Sequence, residues 1–174
     1  MIVQLFEAVY MTSRQNGGKS TRYKWYKGYK LHLATTSTGI ILAHQFTTAN
    51  VYGSEAVPDL LNQLTEFKIG FARGDEAYDS KLIREQAKER DILFLTPLNK
   101  RKGGKRKKSF ARVIPTFLKT TFGRSLFRRR SEIERVFSFL KNKQGIEQPR
   151  WYGKNHYHFH CQPCVLIHNI GFLF

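Results

Sequence analysis

The sequence predicts an α/β fold, a mixed sheet flanked by helices, built as a single domain over residues 1–174. Three observations predict it. Runs of strand character come first and then alternate with helical runs, which is the order of a mixed sheet covered by helices. Hydrophobic residues make up 41% of the chain, the share of a globular protein rather than a disordered one. A chain of 174 residues is long enough to bury a real core, close to ~68–70% of its unfolded surface.

The elements follow in order. Residues 2–10 (IVQLFEAVY) read as a strand, and 12–24 (TSRQNGGKSTRYK), polar, basic and Gly-containing, as a loop. Two β-branched, apolar stretches, 26–35 and 40–48, flank the turn Thr36-Ser37-Thr38-Gly39 and form a hairpin. Across 54–67, Val57, Leu60, Leu61 and Leu64 share one helical face. Residues 69–74 are a short apolar strand ending at Gly74, and 79–90 a charged helix with Asp79 placed to cap it. A further strand, 91–97, closes at Pro97. Residues 98–112 hold eight Lys or Arg and no acid, a basic loop. Residues 126–143 form an amphipathic helix with Phe127, Ile133, Phe137 and Leu140 near one face. The tail, 156–174, packs as a last helix. No internal repeat occurs, and a ribonuclease-H-like layout satisfies this order.

Charge narrows the partner. Thirty Lys and Arg against thirteen Asp and Glu give +17. Self-repulsion on that scale calls for a polyanion. Nucleic acid is the expected one, since each neutralised phosphate releases condensed counterions, and an anionic membrane surface is the alternative. No run of 18 or more apolar residues is present, so no membrane span is expected. The start, MIVQLFEAVYM, lacks a basic leader and reads as a strand rather than a signal peptide. Two cysteines make no disulfide framework, which points to a reducing cytoplasm.

Two carboxylates stand out. Asp75 follows a short strand, and ligands gather at such strand ends in α/β sheets. Glu134 lies in the long basic helix among Arg130, Arg135 and Lys141. Carboxylates on rigid elements can hold Mg²⁺, a hard cation that prefers oxygen. Two such ions about 3.5–4 Å apart can support phosphodiester cleavage. The competing structural roles are a turn cap for Asp75 and a helix ion pair with Arg130 for Glu134.

The segment Phe127-x-x-Arg130-x-x-x-Glu134-x-x-x-x-x-x-Lys141 resembles the Tyr-(2)-Arg-(3)-Glu-(6)-Lys signature of insertion-sequence DDE transposases, with Phe in the Tyr slot. Residues 26–61 resemble the hairpin and Thr-x-Ala-Asn turn of that family, and GDEAYDSKLIREQAKERDILFLTP its second-carboxylate block. The resemblance implies a ribonuclease-H-like core, a cytoplasmic, nucleoid-associated bacterial protein, and transposon-end DNA as partner. It also implies cutting and joining of phosphodiester bonds with Mg²⁺ or Mn²⁺, and self-association. Asp75 and Glu134 would be metal ligands, and Arg130 and Lys141, on roughly the same helix side, would hold phosphates.

One acid of the family pattern is missing. No Asp precedes Asp59, and matching Asp-x-x-Leu-x-Glu-Ala to Leu5-Phe6-Glu7-Ala8 puts the first carboxylate's slot at Ile2. Glu7 falls outside that slot. The turn Ala49-Asn50-Val51-Tyr52-Gly53 lacks another acid of the family. The expectation is a core lacking its upstream N-terminal region, inactive alone, with a non-catalytic DNA-binding remnant as the alternative.

Further clusters extend the list. Lys100, Arg101, Lys102, Lys105, Arg106, Lys107 and Lys108, with Arg128 and Arg129 on the helix, are expected to contact DNA phosphates. Only 59 positions separate Asp75 from Glu134 (134 minus 75), too few for an inserted domain. Residues 12–30 interleave Arg14, Lys19, Arg22, Lys24, Lys27 and Lys30 with Tyr23, Trp25, Tyr26 and Tyr29, which suits either stacking on unpaired bases or packing of the sheet. Cys161 and Cys164 with nearby histidines allow a zinc site, against which stands a buried helix whose cysteines act as small apolar residues.

Overall fold

The computed structural model describes residues 1–11, 17–18, 26–75, 78–96, 120–128, 130–151 and 153–173. In chain order the elements are β1 (Ile2–Met11), β2 (Gly17–Gly18), β3 (Tyr26–Thr36), β4 (Ile41–Thr48), α1 (Gly53–Gln63), β5 (Phe71–Arg73), α2 (Lys81–Lys88), β6 (Leu93–Leu95), α3 (Thr121–Arg128), α4 (Arg130–Asn142) and α5 (Lys154–Ile170). The basic loop 98–112 lies outside the described residues.

The sheet is mixed. β1 is central, antiparallel to β3 and parallel to β5. β4 pairs antiparallel with β3, and β6 parallel with β5. β2 adds a short antiparallel pair at Tyr26 and Lys27 of β3. A meander followed by parallel strands reached through helices is the predicted ribonuclease-H-like arrangement.

The β3–β4 hairpin turns where the sequence predicted. Thr36 N donates to Ile40 O at 2.8 Å, and Gly39 takes φ 100°, a value open to Gly because it has no Cβ. Strand alternation then splits β3 between two cores. Tyr29, Leu31 and Leu33 join Ile133, Val136, Phe137 and Leu140 of α4 and Tyr157, Cys161, Cys164 and Val165 of α5. Ala34 joins Val3, Ala72 and the α1 residues Val57, Leu60 and Leu61 on the other side, with Ile83 and Ala87 of α2. Helices therefore cover both faces of the sheet.

Element ends differ from the sequence reading for physical reasons. α1 stops at Gln63 rather than near Phe67, because Thr65, Glu66, Phe67 and Lys68 are exposed and bury nothing that would hold another turn. The cap of α2 is Ser80, in extended conformation, and Asp79 is instead folded inward. Its carboxylate, 1% exposed, pairs with Arg84 Nη1 at 2.6 Å. The helical region ahead of α4 starts at Thr121 rather than Leu126, because Thr120 Oγ1 accepts from Gly123 N at 3.0 Å and caps α3. α5 continues unbroken through Pro163.

Candidate active site

Asp75 lies two residues beyond the end of β5, at the C-terminal edge of the parallel strands. Gly74 N donates to Leu95 O of β6 at 3.0 Å, so the backbone is held up to the residue before the acid. Asp75 O then accepts from Tyr78 N at 3.2 Å and closes a turn. Gly is required at 74 because a Cβ there would come within 2.9 Å of Tyr78 Cβ. Tyr78 is fully buried and anchors the turn from below. Asp75 itself is partly exposed.

The register between β1 and β5 relates the start of β1 to the strand that leads to Asp75. Ile2 is level with Phe71, Val3 with Ala72 and Gln4 with Arg73. The pairing ends at Gln4 and Arg73, two residues short of Asp75. Phe71, the partner of Ile2, lies four residues before Asp75, roughly 13 Å along a strand at about 3.3 Å per residue. Ile2 is thus paired at the start of β5, and Glu7, further along β1, is paired with His32 on β3. Matching a linear pattern could not reveal this, since cross-strand register is fixed by pairing rather than by spacing along one strand.

Glu134 is exposed on α4, whose seating is set by the buried Ile133, Val136, Phe137 and Leu140. α4 packs on β1, the strand that β5 also pairs with, so Asp75 and Glu134 belong to two elements flanking a common strand. Lys141 Nζ, one helix turn pair further on, forms an ion pair with Glu147 Oε1 at 2.8 Å. Arg135 pairs with Glu132 at 3.0 Å. The side chains of Phe127, Arg128 and Arg130, and Arg129 altogether, lie outside the described residues. So do Lys100, Arg101, Lys102, Lys105, Arg106, Lys107 and Lys108. Among the described residues, no three His, Cys, Asp or Glu side chains gather into a metal-binding group.

Two polar residues next to this region were not recognised as buried from the sequence. Lys30 is 7% exposed, and its Nζ donates to Val51 O at 2.8 Å, fastening the Ala49–Val51 turn to β3. His32 is fully buried, its Nε2 2.8 Å from Thr47 Oγ1. Burial first, and then the Lys30 ammonium, push its pKa down to about 4. Lys30 and the buried Tyr29 therefore serve the interior rather than a DNA-stacking strip. The signal available in the sequence was position: in an interior strand both faces are covered, so polar alternation there does not mean solvent. Arg14, Lys19, Arg22, Tyr23, Lys24 and Trp25, and the side chains of Tyr26 and Lys27, lie outside the described residues.

The cysteines and histidines of the tail are spread around α5, with Cys161, Cys164 and His168 buried and His156 and His158 exposed. Cys161 and Cys164 are buried free thiols. Burial, and then the neighbouring Cys164, push the Cys161 thiol up to about 12. His168 Nε2 lies 2.9 Å from Gly39 O, and His158 stacks on Phe46 with centroids 5.5 Å apart. Among the described residues, no helix is long and apolar enough to cross a membrane.

Comparison with known proteins follows this geometry. Among solved structures, the chain is similar to the catalytic core domain of BIV integrase, with a TM-score of 0.49 and 11% identity, covering 91% of this chain and 79% of that one. It is similar to a chain of the simian T-cell lymphotropic virus intasome in complex with PP2A regulatory subunit B56 gamma (TM-score 0.48, 17% identity, 91% of this chain and 46% of that one). A chain of a pre-cleavage Mos1 transpososome matches with a TM-score of 0.40 and 10% identity, over 97% of this chain and 56% of that one. The family model described as Transposase DDE domain matches residues 8–170, nearly the whole chain, and the chain belongs to that family.

Proposed function

We propose that this chain acts in DNA transposition by binding transposon-end DNA, and that by itself it does not cleave the strand. Family membership supports the first half. What supports the second is the pairing of β1 with β5, which ends at Gln4 opposite Arg73 and, carried on by two residues, would bring Phe6 rather than a carboxylate level with Asp75. Transposases of this type use divalent metal ions. Here Asp75 and Glu134 are the oxygen donors suited to Mg²⁺ or Mn²⁺, hard cations that select carboxylates. A phenyl ring offers such an ion nothing, so the donor set is short of the three carboxylates that the family motif implies.

The remaining residues supply binding. Arg130 and Lys141 hold phosphates beside the carboxylates, with Lys141 exchanging its pair with Glu147 for DNA. The run from Lys100 to Lys108, with Arg128 and Arg129, tracks the backbone without reading bases. Two ends must be brought together, so two copies belong to this reading, and the working location is the bacterial nucleoid.

The test uses the purified chain, a duplex carrying the element's end, and Mg²⁺ or Mn²⁺. The chain is expected to retard the duplex without nicking it. Phe6→Asp is expected to gain metal-dependent nicking that is lost again on adding Asp75→Ala or Glu134→Ala. Nicking by the unaltered chain, abolished by Asp75→Ala, overturns the inactive reading. Its loss in Glu7→Gln would then assign the third carboxylate to Glu7.

A further inference from the structure

The outer face of α5 carries a feature that DNA chemistry does not use. Residues 155–174 contain no Lys, Arg, Asp or Glu, in a chain whose net charge is +17. The helix is apolar on two opposite sides. Tyr157, Cys161, Cys164 and Val165 are buried on one side against β3, β4 and α4. On the other, Phe159, Leu166, Ile167, Ile170 and Leu173 stand between 41% and 76% exposed. Phe159, Leu166, Ile167 and Ile170, at 0, 7, 8 and 11 along the helix, share one side over about three turns, and Leu173 follows the helix end. A contiguous exposed apolar stripe of this kind marks an interaction site.

We propose that a second copy of this chain docks on this stripe, with the two α5 helices antiparallel about a two-fold axis near Leu166. Charge decides the occupant. A polyanion gains nothing from a face without cations. A second copy meets strong repulsion at basic surfaces but none at this one, since twenty consecutive residues carry no formal charge. An uncharged apolar stripe is self-complementary, as an isologous interface requires. Size agrees as well. Five large side chains at roughly half exposure present on the order of 500 Å² per copy, given ~150–250 Å² for an aromatic side chain. That is the larger part of the ~800 Å² each partner contributes to a standard interface. The inference is independent of whether the carboxylates are catalytically complete.

Sedimentation velocity of the full chain without DNA, from about 1 to 100 µM in about 0.3 M salt to screen the net charge, tests it. A concentration-dependent dimer is expected, weakened at least 100-fold by Leu166→Lys with Ile170→Lys. Leu82→Lys, an exposed apolar site on α2, is expected to leave the dimer intact. Both variants should keep the parent's circular dichroism and melting temperature. Should the double variant unfold, Phe159→Ser at the far end of the stripe gives the same reading with a smaller change. A monomer at 100 µM, or a dimer indifferent to the stripe substitutions, overturns the proposal. A monomer that floats with phosphatidylcholine vesicles overturns it too, by assigning the face to lipid.

Discussion

A β-carbon placed on Gly74 would approach Tyr78 Cβ to 2.9 Å, closer than side chains pack, so the residue before Asp75 and the tyrosine after it are fitted to each other. Tyr78 is fully buried and cannot yield easily. Gly74→Ala is therefore expected to destabilise the fold by about 1–3 kcal/mol, the cost of overpacking. At about 2–4 °C per kcal/mol for a chain of this size, the melting temperature should fall by several degrees. Combining it with Tyr78→Gly, which removes the β-carbon it would meet, should cost less than the two changes added together, and strict additivity in that double-mutant cycle would refute the fitted pair.

The register of β1 explains why the site was only partly legible in the sequence. Asp75 and Glu134 stand out as acids in strongly patterned surroundings, and strand and helix positions follow from local periodicity. The two-sided burial of Lys30 and His32 does not, because it depends on which strands end up interior. The same holds for Phe6. Its position relative to Asp75 depends on parallel pairing between residues about seventy positions apart, which no spacing within β1 encodes. Thr120 as a helix cap and Asp79 as a buried partner of Arg84 were hidden for a related reason. A side chain able to cap is also able to pair, and tertiary packing selects between the two.

Asn169 joins α5 to the first residue of β4 through two hydrogen bonds, accepting from Ile41 N at 2.9 Å and donating to Ile41 O at 2.7 Å. Replacing the amide by the similarly sized Asn169→Leu leaves both backbone groups without these partners. The expected loss is about 1–3 kcal/mol per group left desolvated, read as a lower urea midpoint with unchanged slope. Hydrogen exchange should show the Ile41 amide opening far faster than the Leu31 amide of the interior strand. Equal protection at both would mean that the bridge does not hold the edge.

His32 makes stability depend on pH in a definite direction. Its folded pKa, about 4, is below the ordinary 6.5, so the folded protein keeps the ring neutral where the unfolded chain would already bind a proton. Stability from this group is complete above pH 6.5 and is lost as pH falls toward 4. The lost amount is on the order of 3 kcal/mol, from about 1.36 kcal/mol per unit. His44, lowered by burial and by His158, adds a loss of the same sign. His32→Gln is expected to flatten the stability profile between pH 6.5 and 4. A slope identical to that of the unaltered protein would remove His32 as its cause.

The cysteines give a chemical check on how α5 is seated. Burial raises both thiols above the ordinary range, so the thiolate needed for attack is scarce in the folded state. Thiol titration with a disulfide reagent at pH 8 should be slow in the native protein and immediate, two per chain, in urea. Rapid native labelling of Cys161 would contradict the inner-face packing of the helix, and with it the separation of its two apolar sides.

Electrostatics supplies the last expectation, for the run between the two carboxylate blocks. Lys105, Arg106, Lys107 and Lys108 carry four consecutive positive charges within a stretch that has no acid from 98 to 112. If each neutralises one phosphate, they contribute up to about 3–4 units to the slope of log affinity against log salt, at about 0.9 per contact on duplex DNA. Changing all four to Gln should weaken binding to every duplex alike and reduce the slope by that amount, because backbone contacts carry no sequence information. The affinity ratio between an element end and a random duplex should stay constant. A changed ratio would assign these residues to base reading, and an unchanged slope would show that the charges never reach the phosphates.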